Sequence, residues 1–189
     1  MKKLAIFSSG AGSNAARIIA HFRDHPTISI HLIVCNNPHA GVLNIAAAAD
    51  IPVLLIQKEQ FFRGSAYVPD LQARGIDFIV LAGFLWKVPS MLVQAYRHRI
   101  VNTHPALLPD YGGKGMYGRH VHEAVIAAGE KESGITIHYV DELYDHGQAI
   151  FQERVAVDPD DTPATLAAKV LQLEHLHFPR VIEEVVSRS

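Results

Sequence analysis

Basic residues, cysteine and long apolar stretches are all scarce in this sequence, and each scarcity excludes a class of protein. The 17 lysines and arginines are outnumbered by 19 aspartates and glutamates, so there is no basic excess for binding a nucleic-acid backbone. A single cysteine, Cys35, excludes an internal disulfide, which fits a reducing cytoplasm. No apolar stretch approaches the roughly 20 residues that cross a bilayer, and the first one stops at Ser8, too early for a signal peptide. We therefore expect a cytoplasmic protein with neither nucleic acid nor membrane as a partner.

What the sequence does contain is an alternation of short apolar runs and helix-like segments. Its 189 residues, 49% of them apolar, suit one compact domain over 1–189. The apolar runs are continuous, which indicates strands that are covered on both faces. We predict an α/β fold: a mostly parallel, Rossmann-like twisted sheet with helices on both faces and an antiparallel C-terminal edge. The predicted strands are 4–7, 30–35, 53–56, 78–82, 100–102, 134–140 and 149–155; the predicted helices are 15–23, 42–49, 66–74, 90–96 and 163–186.

A glycine-containing turn joins the first strand to the first helix. Gly10 and Gly12 allow close approach of a ligand to the backbone, and Ser13 and Asn14 stand at the helix start, where free amides favour an anion. No acidic residue closes the second strand to hold an adenosine ribose, so dinucleotide binding is disfavoured. The turn predicts a phosphate site, and also a tight structural turn capped by Ser13 or Asn14.

The second candidate site is the pair Asn102 and His104 at the end of the fifth predicted strand. Alternate residues of a strand point to the same side, so both side chains project together from the carboxyl end of the sheet. Open α/β sheets bind ligands at that end. An amide can stabilise a developing oxyanion while an imidazole transfers a proton, so the pair predicts a catalytic centre.

An acidic loop that ends in Asp145 and Gly147 follows the sixth predicted strand. Taken alone, this loop is better interpreted as a solvated turn, because acidic residues are common in turns. Histidines also recur at i and i+2, at His120 and His122 and again at 175 and 177, but in helix-like stretches such residues do not share a face. We therefore expect no metal site.

Together these segments resemble the formyltransferase family that uses 10-formyltetrahydrofolate. The resemblance covers most of the chain, and its matching segments are 9–14, 81–84, 102–109 and 134–147, of which the second and the last are the most specific. A weaker match lies at Glu174, His175, Phe178 and Pro179.

The resemblance implies a reaction and a role for each matching residue. The formyl group of 10-formyltetrahydrofolate would pass directly to the amino group of glycinamide ribonucleotide, a step of purine biosynthesis, without a metal. Asn102 would stabilise the oxyanion, His104 would donate the proton and Asp145 would assist proton transfer. The expected acceptor ligands are Gly12, Ser13 and Asn14 for the phosphate and Glu174 for the ribose; the expected folate contacts are Leu85, Trp86, Lys87, Val88, Asp141, Glu142, Leu143 and Tyr144.

Some positions depart from the usual family pattern. The segment 110–118 is longer and richer in glycine, which suggests a lid, and its Lys114 is either a phosphate ligand or a solvated loop residue. Arg63 lies one position away from a common folate contact. Leu171 replaces a usual glutamine near the acceptor site, and Gln148 replaces a usual proline after Gly147.

Other functions share parts of this pattern. An enzyme that formylates initiator methionyl-tRNA normally carries a further domain and a basic surface, and a formyltetrahydrofolate hydrolase normally carries an N-terminal regulatory domain; length and charge argue against both. A non-catalytic nucleotide-binding module would use the glycine turn but leave Asn102, His104 and Asp145 unexplained. The partners expected are two small molecules, and the chain is expected to be a monomer or a homodimer.

Overall fold

The computed structural model describes residues 1–188, which form a seven-stranded sheet and seven helices. The strands are β1 (Lys2–Ser8), β2 (Ile28–Cys35), β3 (Val53–Leu55), β4 (Phe78–Leu81), β5 (Ile100–His104), β6 (Glu132–Tyr139) and β7 (Ala149–Ala156). The helices are α1 (Ser13–Phe22), α2 (Val42–Ala48), α3 (Lys58–Phe62), α4 (Val68–Ala73), α5 (Ser90–Ala95), α6 (Arg119–Ala128) and α7 (Pro163–Ser187).

The strand order is β3-β2-β1-β4-β5-β6-β7. Strands β1 to β5 pair in parallel, whereas β6 is antiparallel to β5 and β7 is antiparallel to β6. This arrangement confirms the predicted fold class. The order reverses beside β1, which has β2 on one side and β4 on the other, and such switch points form crevices at the carboxyl ends of the strands.

Each face of the sheet is covered by its own hydrophobic layer, which explains the continuous apolar runs. Successive strand residues point to opposite faces, so Leu4 and Ile6 join one layer while Ala5 and Phe7 join the other. The first layer packs against α1, α2, α6 and α7, and the second against α3, α4 and α5. Both faces are therefore buried, as parallel sheets require.

The helix ends depart from the sequence prediction in a few places. Helix α1 begins at Ser13, and its N-cap is Gly12 in the left-handed region (φ 82°), without a side-chain cap. The prediction that Ser13 or Asn14 caps the helix was therefore wrong. The short helix α3 was not predicted, because five residues give too little periodicity to recognise. Within the described range, no helix has the length and apolar character needed to span a membrane.

Candidate active site

A cleft of about 1140 Å³ opens at the carboxyl ends of β4 and β5. The strand ends supply its floor, the loops after β4 and β6 supply one wall, and α7 supplies another. Most of the residues that the sequence singled out line this cleft. They are Asn14, Leu85, Trp86, Lys87, Val88, Asn102, His104, Asp141, Leu143, Tyr144, Asp145 and Glu174.

His104 and Asp145 meet in this cleft although they are distant in sequence. His104 Nδ1 lies 3.6 Å from Asp145 Oδ1, and both side chains are largely buried. The other ring nitrogen, Nε2, donates to the carbonyl oxygen of Tyr111 at 2.8 Å. A carbonyl only accepts hydrogen bonds, so Nε2 keeps its proton and Nδ1 is the nitrogen free to gain or release one.

Asn102 is oriented by a histidine on the neighbouring strand. Its Nδ2 lies 3.1 Å from His138 Nε2, and His138 Nδ1 lies 2.8 Å from the carbonyl oxygen of Tyr139. Nδ1 must therefore donate to the carbonyl, which leaves Nε2 as an acceptor for the amide of Asn102. Burial lowers the pKa of His138, which favours this neutral form; the Tyr139 carbonyl and Asp145 act in the opposite direction.

The backbone around Asp145 fixes the position of its carboxylate. Asp145 itself has a left-handed conformation (φ 50°), and its Oδ2 accepts from the amide of Gly113 at 2.9 Å. Its Oδ1 also lies 3.7 Å from His138 Nε2. Any Cβ at Gly147 would overlap the carbonyl oxygen of Tyr139, so glycine is required for the loop to fold back against β6.

A second polar group lies where α1, β5 and α7 meet. Glu174 is 8% exposed, and its two carboxylate oxygens accept from Asn14 Nδ2 at 2.8 Å and from Thr103 Oγ1 at 3.1 Å. Burial raises the pKa of Glu174, while these two hydrogen bonds lower it. All three residues line the cleft.

The glycine turn contributes to this part of the cleft through Asn14, whereas Gly12 and Ser13 are not among the lining residues. A Cβ on Gly12 would lie 2.8 Å from the Cβ of Val42 and 2.9 Å from its Cα, so the turn packs tightly on α2. Because α1 has no side-chain cap, the amides at its start are left available to a ligand.

The segments expected to contact folate form the opposite part of the cleft. Lys87 Nζ lies 5.4 Å from the centre of the Tyr144 ring, so the segments 85–88 and 141–144 are in contact. Trp86 packs at a tilt against Phe61 and Phe62 and lines the cleft as well. Of the expected contacts, only Glu142 is not a lining residue.

The glycine-rich segment after β5 borders the cleft with its residues 113–118. Gly113 and Gly115 have φ values of 95° and 90°, and Lys114 between them lines the cleft. Leu171 also lines it, whereas Arg63 does not. Within residues 1–188, no group of three or more histidine, cysteine, aspartate or glutamate side chains is arranged to hold a metal.

Sequence reasoning missed three residues that shape this site: His138, Thr103 and Tyr111. Strand alternation could have placed His138 on the Asn102 side only if the antiparallel register of β5 and β6, which aligns these two residues, had been known. Thr103 lies between two recognised residues, but its partner is 71 positions away. Tyr111 acts through its carbonyl group, which leaves no side-chain signal.

Comparison with known proteins gives a consistent family assignment. A chloroplastic phosphoribosylglycinamide formyltransferase of Arabidopsis thaliana is 42% identical over 187 residues, covering 96% of this chain and 64% of the plant protein. The chain thus spans less than two thirds of that relative. A phosphoribosylglycinamide formyltransferase of Bacillus subtilis is 35% identical, with 98% of this chain and 95% of the relative covered.

Solved structures agree with the sequence relatives. The crystal structure of phosphoribosylglycinamide formyltransferase from Bacillus halodurans superposes with a TM-score of 0.89 at 36% identity, covering 98% of this chain and 96% of that one. The family model described as formyl transferase matches residues 2–182, which is nearly the whole chain. The chain therefore belongs to the formyl transferase family.

Proposed function

We propose that this protein transfers the formyl group of 10-formyltetrahydrofolate to the amino group of glycinamide ribonucleotide, a step of de novo purine biosynthesis. Family membership and the relatives that carry this activity in their names support the reaction. The observation that carries the proposal is the convergence of Asn102, His104 and Asp145 in one cleft, with 3.6 Å between His104 Nδ1 and Asp145 Oδ1.

The chemistry of the transfer accounts for these three residues. The acceptor amine attacks the formyl carbon, so an oxyanion forms at one end and an ammonium at the other. Asn102 stabilises the oxyanion through an amide N–H, and His104 donates a proton to it. Asp145 stabilises the protonated imidazole and assists removal of the amine proton through water. Collapse of the intermediate returns the proton of its hydroxyl group to His104, re-forms the formyl carbonyl and breaks the bond to the folate nitrogen, which takes up the proton that the amine released through water.

The two substrates approach this centre from opposite sides of the cleft. The acceptor phosphate lies on the turn formed by Gly12, Ser13 and Asn14, where the uncapped amides of α1 favour an anion. The Glu174 carboxylate accepts from the ribose hydroxyl groups. The folate lies against the backbone of Leu85, Trp86, Lys87 and Val88 and against the loop of Asp141, Glu142, Leu143 and Tyr144.

The direct test is incubation with glycinamide ribonucleotide and 10-formyltetrahydrofolate, following both loss of the donor and formation of formylated acceptor. We expect product only when both substrates are present. Loss of the donor that is independent of the acceptor would instead indicate a hydrolase.

We expect His104→Ala to lower kcat at least about a hundredfold while the fold is kept, because proton transfer is lost. Circular dichroism checks the fold. The matched control is His31→Ala, since His31 is exposed on β2 and does not line the cleft. Near-normal turnover of His104→Ala would contradict the assigned mechanism.

A further inference from the structure

Thr103 lies between the two proposed catalytic residues but faces the other side of β5. Strand alternation places Val101 in the hydrophobic layer under α7 and Ile100 in the opposite layer. The side chain of Thr103 therefore points to the same face of the sheet as Val101, whereas those of Asn102 and His104 point to the face of Ile100. One short strand end therefore serves two parts of the cleft.

The side chain that Thr103 contacts is the carboxylate of Glu174. Thr103 Oγ1 donates to Oε1 at 3.1 Å, and Asn14 Nδ2 donates to Oε2 at 2.8 Å. Both donors are neutral, so the buried charge has no opposite charge among these partners. Each carboxylate oxygen can accept about two hydrogen bonds, which leaves acceptor capacity on both oxygens for a ligand in the cleft.

Burying the Glu174 carboxylate lowers the stability of the fold, which indicates that the carboxylate is there to bind a ligand. A buried carboxylate loses its hydration, and burial raises the pKa of Glu174. An apolar side chain would fill the same space between β5 and α7 without that cost. The hydroxyl of Thr103 offsets part of the cost and also fixes where Oε1 points.

We infer that Thr103 is a positioning residue for the acceptor: its hydroxyl orients the Glu174 carboxylate to accept hydrogen bonds from the sugar hydroxyl groups of the acceptor. The inference rests on the proposed function and assigns a further residue to it. Because Thr103 faces away from Asn102 and His104, its hydroxyl acts on acceptor binding and not on the chemical step.

The test is steady-state kinetics of Thr103→Val, which keeps the shape of the side chain and removes the hydroxyl. We expect the KM for glycinamide ribonucleotide to rise about tenfold, the scale of one hydrogen bond to a charged group. We expect kcat and the KM for 10-formyltetrahydrofolate to stay within about twofold. Thr103→Ser keeps the hydroxyl and should restore the acceptor KM.

Ser133→Ala is the matched control, because Ser133 is 2% exposed on β6 and its Oγ has no hydrogen-bond partner among residues 1–188. Removing this buried hydroxyl should leave all three kinetic constants unchanged. If Thr103→Val does not fold, Thr103→Ala removes the same hydroxyl without an added methyl group and should show the same rise in acceptor KM.

An unchanged acceptor KM in a folded Thr103→Val or Thr103→Ala variant would overturn the inference and leave the proposed function standing. The inference is also overturned if kcat falls while both KM values rise, or if Thr103→Ser fails to restore the acceptor KM. Absence of formyl transfer by the unaltered protein would overturn the proposed function and, with it, this inference.

Discussion

At the scale of single residues, the proposed mechanism depends on the orientation of one amide, that of Asn102. A side-chain amide can present either its oxygen or its nitrogen to a substrate, and only the nitrogen stabilises an oxyanion. The chain from the Tyr139 carbonyl through His138 to Asn102 Nδ2 selects one orientation. Because burial lowers the pKa of His138, its Nε2 remains an acceptor at neutral pH.

We predict that Asn102→Ala lowers kcat by about a hundredfold to a thousandfold, the usual cost of removing an oxyanion donor. His138→Leu should lower kcat about tenfold, since the amide of Asn102 is then free to rotate. In the Asn102→Ala background, His138→Leu should add little, because its effect acts through Asn102. Kinetics of the two single variants and the double variant test this coupling, and fully multiplicative losses would show that His138 has a separate role.

At the scale of an element, the turn from β1 into α1 is closely packed against α2. Gly12 has a φ of 82°, and a Cβ there would lie within 3 Å of both the Cβ and the Cα of Val42. The contact with Val42 Cα is with backbone, so a rotamer change cannot relieve it. By contrast, a Cβ on Gly10 in the same turn would meet nothing within 4 Å.

We predict that Gly12→Ala lowers the free energy of unfolding by at least about 2 kcal/mol, through combined backbone strain and overpacking. Gly10→Ala is the control in the same turn, and its change should stay within about 0.5 kcal/mol. Urea unfolding followed by circular dichroism measures both values. Equal stabilities of the two variants would contradict the packing argument.

At the scale of the whole molecule, partly or fully buried histidines connect stability to pH. Burial lowers the pKa of His122, His138 and His175 from the ordinary value of 6.5. The unfolded chain therefore binds more protons than the folded protein just below that pH. The free energy of unfolding should consequently fall as the pH decreases from about 6.5 through the lowered pKa values. Above about pH 6.5 these histidines are neutral in both states, so they should not change the free energy of unfolding.

We predict that His122→Gln, which removes one of these groups, reduces the slope of stability against pH between about 7 and 5 relative to the unaltered protein. The reduction cannot exceed about 1.4 kcal/mol per pH unit for a single proton. Urea unfolding at several pH values gives both slopes. His122 is suited to this test because its Nδ1 is buried and has no hydrogen-bond partner within the described part of the chain. Identical slopes would show that His122 does not titrate differently on unfolding.

The sequence by itself determined the layered fold and the common direction of the side chains of Asn102 and His104. Continuous apolar runs such as Leu4 to Phe7 are possible only where both faces of a strand are covered, so they indicated helices on both sides of a parallel sheet. Asn102 and His104 share a side because strand alternation is a local property of the backbone. Both conclusions depend on neighbouring residues alone.

Only the tertiary structure decided which distant groups meet. Asp145 reaches His104 because β6 pairs with β5 and its loop folds back over the strand end, at a turn that only Gly147 permits. Thr103 reaches Glu174 because α7 packs across the same strand. Such contacts depend on strand register and helix packing, which arise from the burial of the whole core and not from any local pattern.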